Sequence, residues 1–222
     1  QEVASVVFTR LLSGGAPPKA LAEQMSRAAG EGRLRVFSRY DEEQAELAKT
    51  ALGGAVSVTD RPFTGLVVNN YSGSKLDYYL DRSLSYTRSA CTSTEDRQRG
   101  RVEVTLTNRA PQRGLPAYVD MRLDTESFRG RPPRGANTDF VQVFATGGAE
   151  LLNATLDGEE LLVTGGQERG HAVFAFNATL RAGQTRRIVL ELDEPASRLP
   201  PQLMAPQPLV RDMTQQAGTV AC

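Results

Sequence analysis

Between residues 64 and 193 the chain repeats one pattern, in which apolar and polar side chains alternate over short segments. RVEVTLTN (101–108), DFVQVFA (139–145) and GHAVFAFNATL (170–180) show it most clearly. A period of two places every second side chain on one face of a β-strand. Asp157-Gly158, between two apolar stretches, is a typical hairpin signal. Six or seven such strands without intervening helices predict an antiparallel, immunoglobulin-like β-sandwich over residues 96–195. AYVDMRL (117–123) is expected to be one of the strands.

Residues 1–52 have a different pattern, which predicts helices and one short strand. Three segments show apolar spacing or end signals of helices: QEVASVVFTRLL, PPKALAEQMSRAAGEG and DEEQAELAKTAL. RLRVFSR (33–39) alternates and predicts a short strand. The proline-rich residues 196–222 predict an irregular tail, and its apolar side chains predict that this tail packs on the body. We therefore predict an α+β chain: a mixed helical segment (1–95, part of a larger domain), the sandwich and the tail.

The overall charge excludes one class of partner. The 26 basic and 26 acidic residues cancel, which argues against bulk electrostatic binding to nucleic acid. All but three of the basic residues are arginine, as in GC-rich genomes, so a single arginine carries little functional weight. The sequence has no run of about 18 apolar residues that would span a membrane. Because Gln1 lies inside a predicted helix, we expect an export or anchoring segment upstream.

The two cysteines, Cys91 and Cys222, lie 131 positions apart. This spacing is not that of a metal site, and the single histidine, His171, cannot complete a structural zinc site. A reactive thiol is one interpretation; in an exported chain, a disulfide that fixes the last residue is the favoured one. His171 is expected on the surface or on an edge strand. We predict neither a metal nor a cofactor.

The stretch NNYSGSKLDYYL (69–80) contains the S-x-x-K pattern of serine acyl-enzymes, formed by Ser72 and Lys75. Those enzymes also need an S-D-N and a K-T-G element, and no lysine follows Lys75 in this chain. The favoured interpretation is a polar turn, in which Asn69, Asn70 and Ser72 bond to nearby backbone. The spacing of the apolar residues that follow predicts one helical turn docked on a core.

Two further groups are candidates for function. Asp77 and Asp81 are candidates for acid–base chemistry on glycosides. Arg129, Arg131 and Arg134 surround a stiff Pro-Pro pair, and guanidinium groups suit phosphate or carboxylate recognition. These arginines are predicted to contact an anionic wall polymer or a phospholipid headgroup, together with Asn69 and Asn70; the alternative is a solvated loop.

Several stretches together resemble the bacterial family catalogued as domain of unknown function 4012. The specific motifs are NNYSGSKLDYYL and LTNRAPQRGLPAYV, and the looser ones are GRLRVFSRYDEEQAELAKTALGG, GANTDFVQVFATGGAELLNATLDGEEL and AGQTRRIVLEL. The resemblance covers nearly the whole chain and corresponds to the C-terminal part of longer members. It implies an extracytoplasmic envelope protein of GC-rich Gram-positive bacteria, anchored by an N-terminal membrane segment. It implies no established activity.

Together these observations predict a non-enzymatic envelope module that binds or organises a wall polymer or a partner protein. The alternatives are an enzyme acting on envelope glycans or glycan–lipid intermediates, with Asp77, Asp81 or Ser72 taking part, and a purely structural spacer.

Overall fold

The computed structural model describes residues 2–14, 17–94, 96–123, 132–204, 207 and 211–220, with backbone alone at residues 3, 4, 11, 12 and 91–94. The chain divides into two compact units, Gln1–Val56 and Ser57–Cys222. The division therefore lies at residue 56, and the predicted limit at residue 95 falls between two strands that pair as a hairpin.

The first unit is helical. It contains α1 (Glu2–Leu12), α2 (Pro18–Gly30), α3 (Asp41–Ala48) and a 3-10 turn at Ala51–Gly53. The predicted helices are confirmed, but the strand predicted at residues 33–39 is wrong. That segment joins no described sheet, and its Val36 amide donates to the Leu52 carbonyl at 2.9 Å.

No described helix combines the length and the apolar character that a membrane crossing requires.

The second unit is mostly β and holds two mixed sheets. Its strands are β1 (Phe63–Asn70), β2 (Leu80–Thr94), β3 (Arg97–Asn108), β4 (Asn137–Ala145), β5 (Glu150–Leu156), β6 (Glu159–Glu160), β7 (Thr164–Glu168), β8 (His171–Leu180), β9 (Thr185–Pro195), β10 (Gln202–Met204) and β11 (Met213–Val220). One sheet has the order β10-β1-β4-β8-β7, and the other has the order β11-β2-β3-β9-β5-β6. A 3-10 turn at Leu76–Tyr79 and a short helix, α4 (Ala117–Asp120), lie in the connections.

Both sheets contribute to one hydrophobic core. Inward side chains of β1, β4 and β8 meet those of β2, β3 and β9, and the central ones are fully buried: Leu66, Val141, Val143, Leu84, Tyr86, Val102, Val104, Ile188 and Leu190. The alternation seen in the sequence has this cause, because each of these strands buries every second side chain.

Several local predictions are confirmed. Leu76 and Leu80 are fully buried at the ends of the 3-10 turn, as expected for a helical turn docked on a core. Asp157 and Gly158 both have positive φ and form the two-residue hairpin between β5 and β6.

Three other predictions are wrong. AYVDMRL begins with α4, because Pro116 ends the extended chain and its carbonyl accepts the Val119 amide at 2.9 Å. The tail is not irregular throughout, since β10 and β11 add in parallel to β1 and β2. His171 is buried and stacks on Phe63 with a centroid distance of 4.1 Å, since β8 lies between β4 and β7.

Candidate functional site

Three segments meet at one end of the second unit: residues 71–79, which connect β1 to β2, and residues 109–123 and 132–136, which lie between β3 and β4. We call them the loop layer. Backbone hydrogen bonds join the first segment to the second: Lys75 N to Val119 O, Leu123 N to Ser72 O and Arg109 N to Tyr79 O, each at 2.8 Å. The two segments therefore hold each other in place.

The third segment is attached by side chains. Arg122 donates to the Ala136 carbonyl and to the Thr138 hydroxyl, each at 2.8 Å. Asn108, which is buried at the end of β3, donates to the Gly135 carbonyl at 2.9 Å. The loop layer is thus braced from within, which reduces the entropy cost of binding a ligand.

A hydrogen-bonded set of polar side chains lies beneath the loop layer. The Asp77 carboxylate accepts from Asn70 at 2.8 Å and from Asn137 at 2.9 Å. Asn137 also donates to Asp139 at 2.9 Å, and the Ser72 hydroxyl donates to Asn70 at 2.9 Å. We call these residues, with Ser74, which contacts the Ser72 hydroxyl at 3.0 Å, the polar network.

The strand register explains why this network is buried. Asn137 and Asp139 occupy the same face of β4 as Val141 and Val143, and that face is turned to the core. On β2, Arg82 likewise shares a face with buried Leu84. Polar side chains thus continue the apolar rows at the end of the sheets, where a hydrogen-bonded network can replace apolar packing.

The electrostatics of the network centre on Asp139. Burial raises the pKa of its carboxyl to about 8, with a further increase from neighbouring Asp77, while Arg82 and the Asn137 amide oppose the rise. Burial likewise lowers the pKa of Arg82. Its Nε has no hydrogen-bond partner among the described residues. Asp139 is therefore mainly protonated at neutral pH and can share a proton with the Asp77 carboxylate.

Ser72 lies inside this network. Its side chain is fully buried and contacts Asn70, Ser74 and Asn137. Lys75 is exposed, and in the described part of the chain it has no side-chain hydrogen bond or ion pair. A nucleophilic serine needs a base within hydrogen-bond reach and access to the substrate. In this arrangement the Ser72 hydroxyl instead braces the turn.

The other predicted residues lie in different places. Asn69 is exposed and makes a long contact with Gln142 at 3.5 Å. Asp81 lies outside the polar network and pairs with Arg109 and Arg211, each at 2.7 Å, which keep the pKa of its carboxyl below its usual range.

Four predicted residues fall wholly or partly outside the described residues. Arg129, Arg131 and Cys222 are not described, and Cys91 is described only by its backbone in β2.

The outer side of the loop layer carries aromatic and apolar side chains. Tyr78 and Tyr118 are 60% and 71% exposed, and Met121 and Leu123 are also exposed. Leu123 packs across Gly73, where φ is +71° and a Cβ would approach Leu123 Cδ1 to 2.9 Å. Exposed aromatic rings on a braced support are a common feature of binding surfaces.

Two exposed arginines, Arg113 and Arg134, also belong to the loop layer. Arg134 binds the buried Asp120 carboxylate through Nε and through Nη2, the latter at 3.1 Å. The Arg134 side chain is still 67% exposed. Arg113 is exposed in the segment 109–123. It lines a surface groove together with Arg134.

A second buried polar cluster lies in the core, where Glu194 of β9 accepts from Tyr86 at 2.5 Å and lies 3.6 Å from Arg88 Nε. Burial raises the pKa of the Glu194 carboxyl and of the Tyr86 hydroxyl. Glu194 is fully buried, so this cluster is out of contact with solvent.

Sequence reasoning missed Asp139, Asn137, Arg82 and Glu194. The signal was present in the sequence. Asp139, Arg82 and Glu194 each lie in register with buried apolar residues two and four positions away on their own strands, and Asn137 lies in register with Val141 and Val143. Charged side chains on an inward face indicate either a polar network or a site.

No group of three or more histidine, cysteine, aspartate or glutamate side chains suited to a metal occurs in the described ranges. No protein-family model matches the chain, and no curated protein matches it.

Solved structures match part of the chain at low similarity. A protein from Legionella pneumophila, described as a candidate nutrient binding protein, is 6% identical, with a TM-score of 0.34 over 60% of this chain and 43% of that one. An M1 zinc metallopeptidase from Deinococcus radiodurans is 16% identical, with a TM-score of 0.28 over 53% of this chain and 21% of that one. The chain thus spans less than half the length of either.

Proposed function

We propose that this chain is a non-enzymatic module of the bacterial cell envelope that binds a wall polymer through its loop layer. The observation that carries the proposal is the combination of a support braced from within and exposed tyrosine and arginine side chains on the same loop segments. A rigid support keeps the entropy cost of binding low, and tyrosine rings offer flat surfaces for sugar rings.

The fold type, the family and the cellular location are part of the same proposal. We infer an immunoglobulin-like β-sandwich, membership of the family catalogued as domain of unknown function 4012, and an extracytoplasmic location with a membrane anchor outside this sequence. A Cys91–Cys222 disulfide fits this location. The parallel register of β11 on β2 supports it, because Val220 pairs with Ser89, and the same offset of 131 positions separates the two cysteines.

The test is co-sedimentation of the purified chain with cell walls from a GC-rich Gram-positive bacterium. A Tyr118→Ser variant should bind roughly fivefold more weakly, since it loses a ring of the loop layer that is 71% exposed. The matched control is Leu162→Ser, which removes a side chain that is 89% exposed outside the loop layer. Wild-type affinity in the Tyr118→Ser variant would place the binding surface elsewhere. Absence of wall binding by the folded wild-type chain would overturn the proposal in favour of a spacer.

A second candidate is an enzyme acting on envelope glycans, and it is favoured by the half-buried Asp77 carboxylate beside Asp139, whose pKa burial raises to about 8. Asp139 is itself fully buried, so Asp77 would be the group in contact with the substrate and Asp139 would act through it. Asp77→Asn should then abolish glycan cleavage while wall binding stays intact. Retention of a measurable cleavage rate by this variant would reject Asp77 as a catalytic residue.

A further inference from the structure

We propose that the groove lined by Arg113 and Arg134 is an anion-binding site that takes a phosphate or carboxylate group of the polymer. The inference rests on the proposed function, because it assigns ligand chemistry to part of the same loop layer. The groove has a volume of about 420 Å³, and residues 111–116 form most of its wall.

Arg134 is already oriented for such a role. Asp120 fixes the Nε/Nη2 edge of the guanidinium, and the Leu115 carbonyl accepts a weaker bond from Nη2 at 3.4 Å. Asp120 is buried by the surrounding loops, whereas the guanidinium is mostly exposed. Within the described part of the chain Nη1 has no hydrogen-bond partner, so one donor group remains for a ligand.

Arg113 supplies the second cation. It lines the groove with Arg134, and it forms neither a hydrogen bond nor an ion pair with any described residue. Its charge is therefore not compensated by a described residue, in contrast with Arg97, Arg101 and Arg187 on β3 and β9, which pair with acidic side chains.

An adjoining groove of about 490 Å³ shares Asp120 and Arg134 and adds Arg122. Among the described residues, three arginines and one aspartate thus line the two grooves. Guanidinium groups recognise the planar pair of oxygens in a carboxylate or phosphate by paired hydrogen bonds. Ala117 lines the adjoining groove, so the next residue, exposed Tyr118, is a candidate contact for the sugar that carries the charged group, which favours an acidic saccharide or a polyol phosphate over an isolated ion.

The site can be tested by NMR titration of the full chain with two small probes, sodium phosphate and sodium glucuronate, with sodium chloride at matched ionic strength as the reference. The Nε–Hε signals of Arg113 and Arg134 should shift with either probe and not with chloride. Arg113→Gln should weaken the binding of the tighter probe by about fivefold to tenfold, as expected for loss of a charge-assisted hydrogen bond at a partly solvated site. Arg99→Gln, which removes an exposed arginine near the opposite end of β3, should leave it unchanged.

Arg113→Gln is the main variant, because Arg113 has no contact whose loss would unfold the chain. Arg134→Gln is the second variant. Because it removes the partner of buried Asp120, an NMR spectrum must first show that this variant is folded. The tighter probe identifies the source: phosphate indicates a polyol phosphate polymer, and glucuronate indicates an acidic polysaccharide.

The outcomes separate this inference from the proposed function. Wall binding that is unchanged in both arginine variants, without shifts of their signals, overturns the anion site and leaves the polymer-binding module standing. Probe-dependent shifts in a chain that binds no cell wall support the anion site and overturn the module. If the chain neither binds cell walls nor shows probe-dependent shifts, both the polymer-binding module and the anion site are rejected.

Discussion

Asp139 provides the sharpest test of the physical reasoning, through the pH dependence of stability. Its carboxyl is buried with Asn137 as donor, and Asp77 and Arg82 are the charged groups that act on it. The pKa is about 8 in the folded chain, against about 4 for an unperturbed aspartate. Between these two values the folded state holds a proton that the unfolded state has released.

The sign follows from this difference in bound protons. Because folding takes up a proton in this window, raising the pH disfavours the folded state. The loss begins near pH 4 and is complete above about pH 8. One proton corresponds to about 1.4 kcal/mol per pH unit, so from pH 5 to pH 7 this group removes about 2 to 3 kcal/mol from the free energy of unfolding.

Asp139→Asn should remove this dependence of stability on pH, because asparagine resembles the protonated carboxyl in shape and does not ionise. The assay is urea unfolding followed by tyrosine fluorescence at several pH values between 5 and 9. The difference in free energy of unfolding between variant and wild type should grow in favour of the variant as the pH rises. Taking the difference cancels the contribution of Glu194, whose pKa is also raised by burial.

Asp81→Asn is the matched control. Arg109 and Arg211 lower the pKa of that carboxyl, so its contribution changes only at acidic pH. Parallel curves for wild type and Asp139→Asn between pH 5 and pH 8 would refute the reasoning, since they would mean that Asp139 is ionised in the folded chain.

Two further predictions concern the body of the second unit. Gly100→Ala should destabilise the chain by about 2 kcal/mol in urea unfolding, because the added Cβ would overlap the buried Glu194 carboxylate; Gly166→Ala, with nothing within 4 Å, should be near neutral. In chain produced under oxidising conditions, Cys91 and Cys222 should resist thiol labelling until reduction, and labelling of the unreduced, unfolded chain would reject the disulfide.

The alternating pattern predicted most of the strands because burial of one strand face is a local property of the sequence. The pattern could not predict β7, since TGGQE has no apolar residue. Neither could it predict β11, in which one partly buried methionine, Met213, packs on the core. These strands form because an existing sheet edge offers them backbone partners, and that edge is not visible in their own residues.

The candidate site could be predicted only in part for a related reason. NNYSGSKLDYYL marked the turn, but its partners Asn137 and Asp139 are 60 or more positions further along the chain. The pairing of β1 with β4 brings them together by placing Asn70 opposite Asp139. The sequence similarly presented Arg134 as one of three loop arginines, whereas its position depends on buried Asp120 in α4.

If the loop layer binds a wall polymer, the polar network beneath it should make that binding depend on pH. The network holds residues 71–79 through Asn70 and Asp77, so ionisation of Asp139 would place a buried negative charge beside these groups and weaken the contacts. We therefore expect the affinity for cell walls to stay constant from pH 6 to pH 7 and to fall above about pH 8. Arginine stays protonated throughout this range, so the arginines themselves cannot cause the fall. An Asp139→Asn variant should keep its affinity at pH 9, whereas an equal fall in that variant would locate the titrating group outside the network.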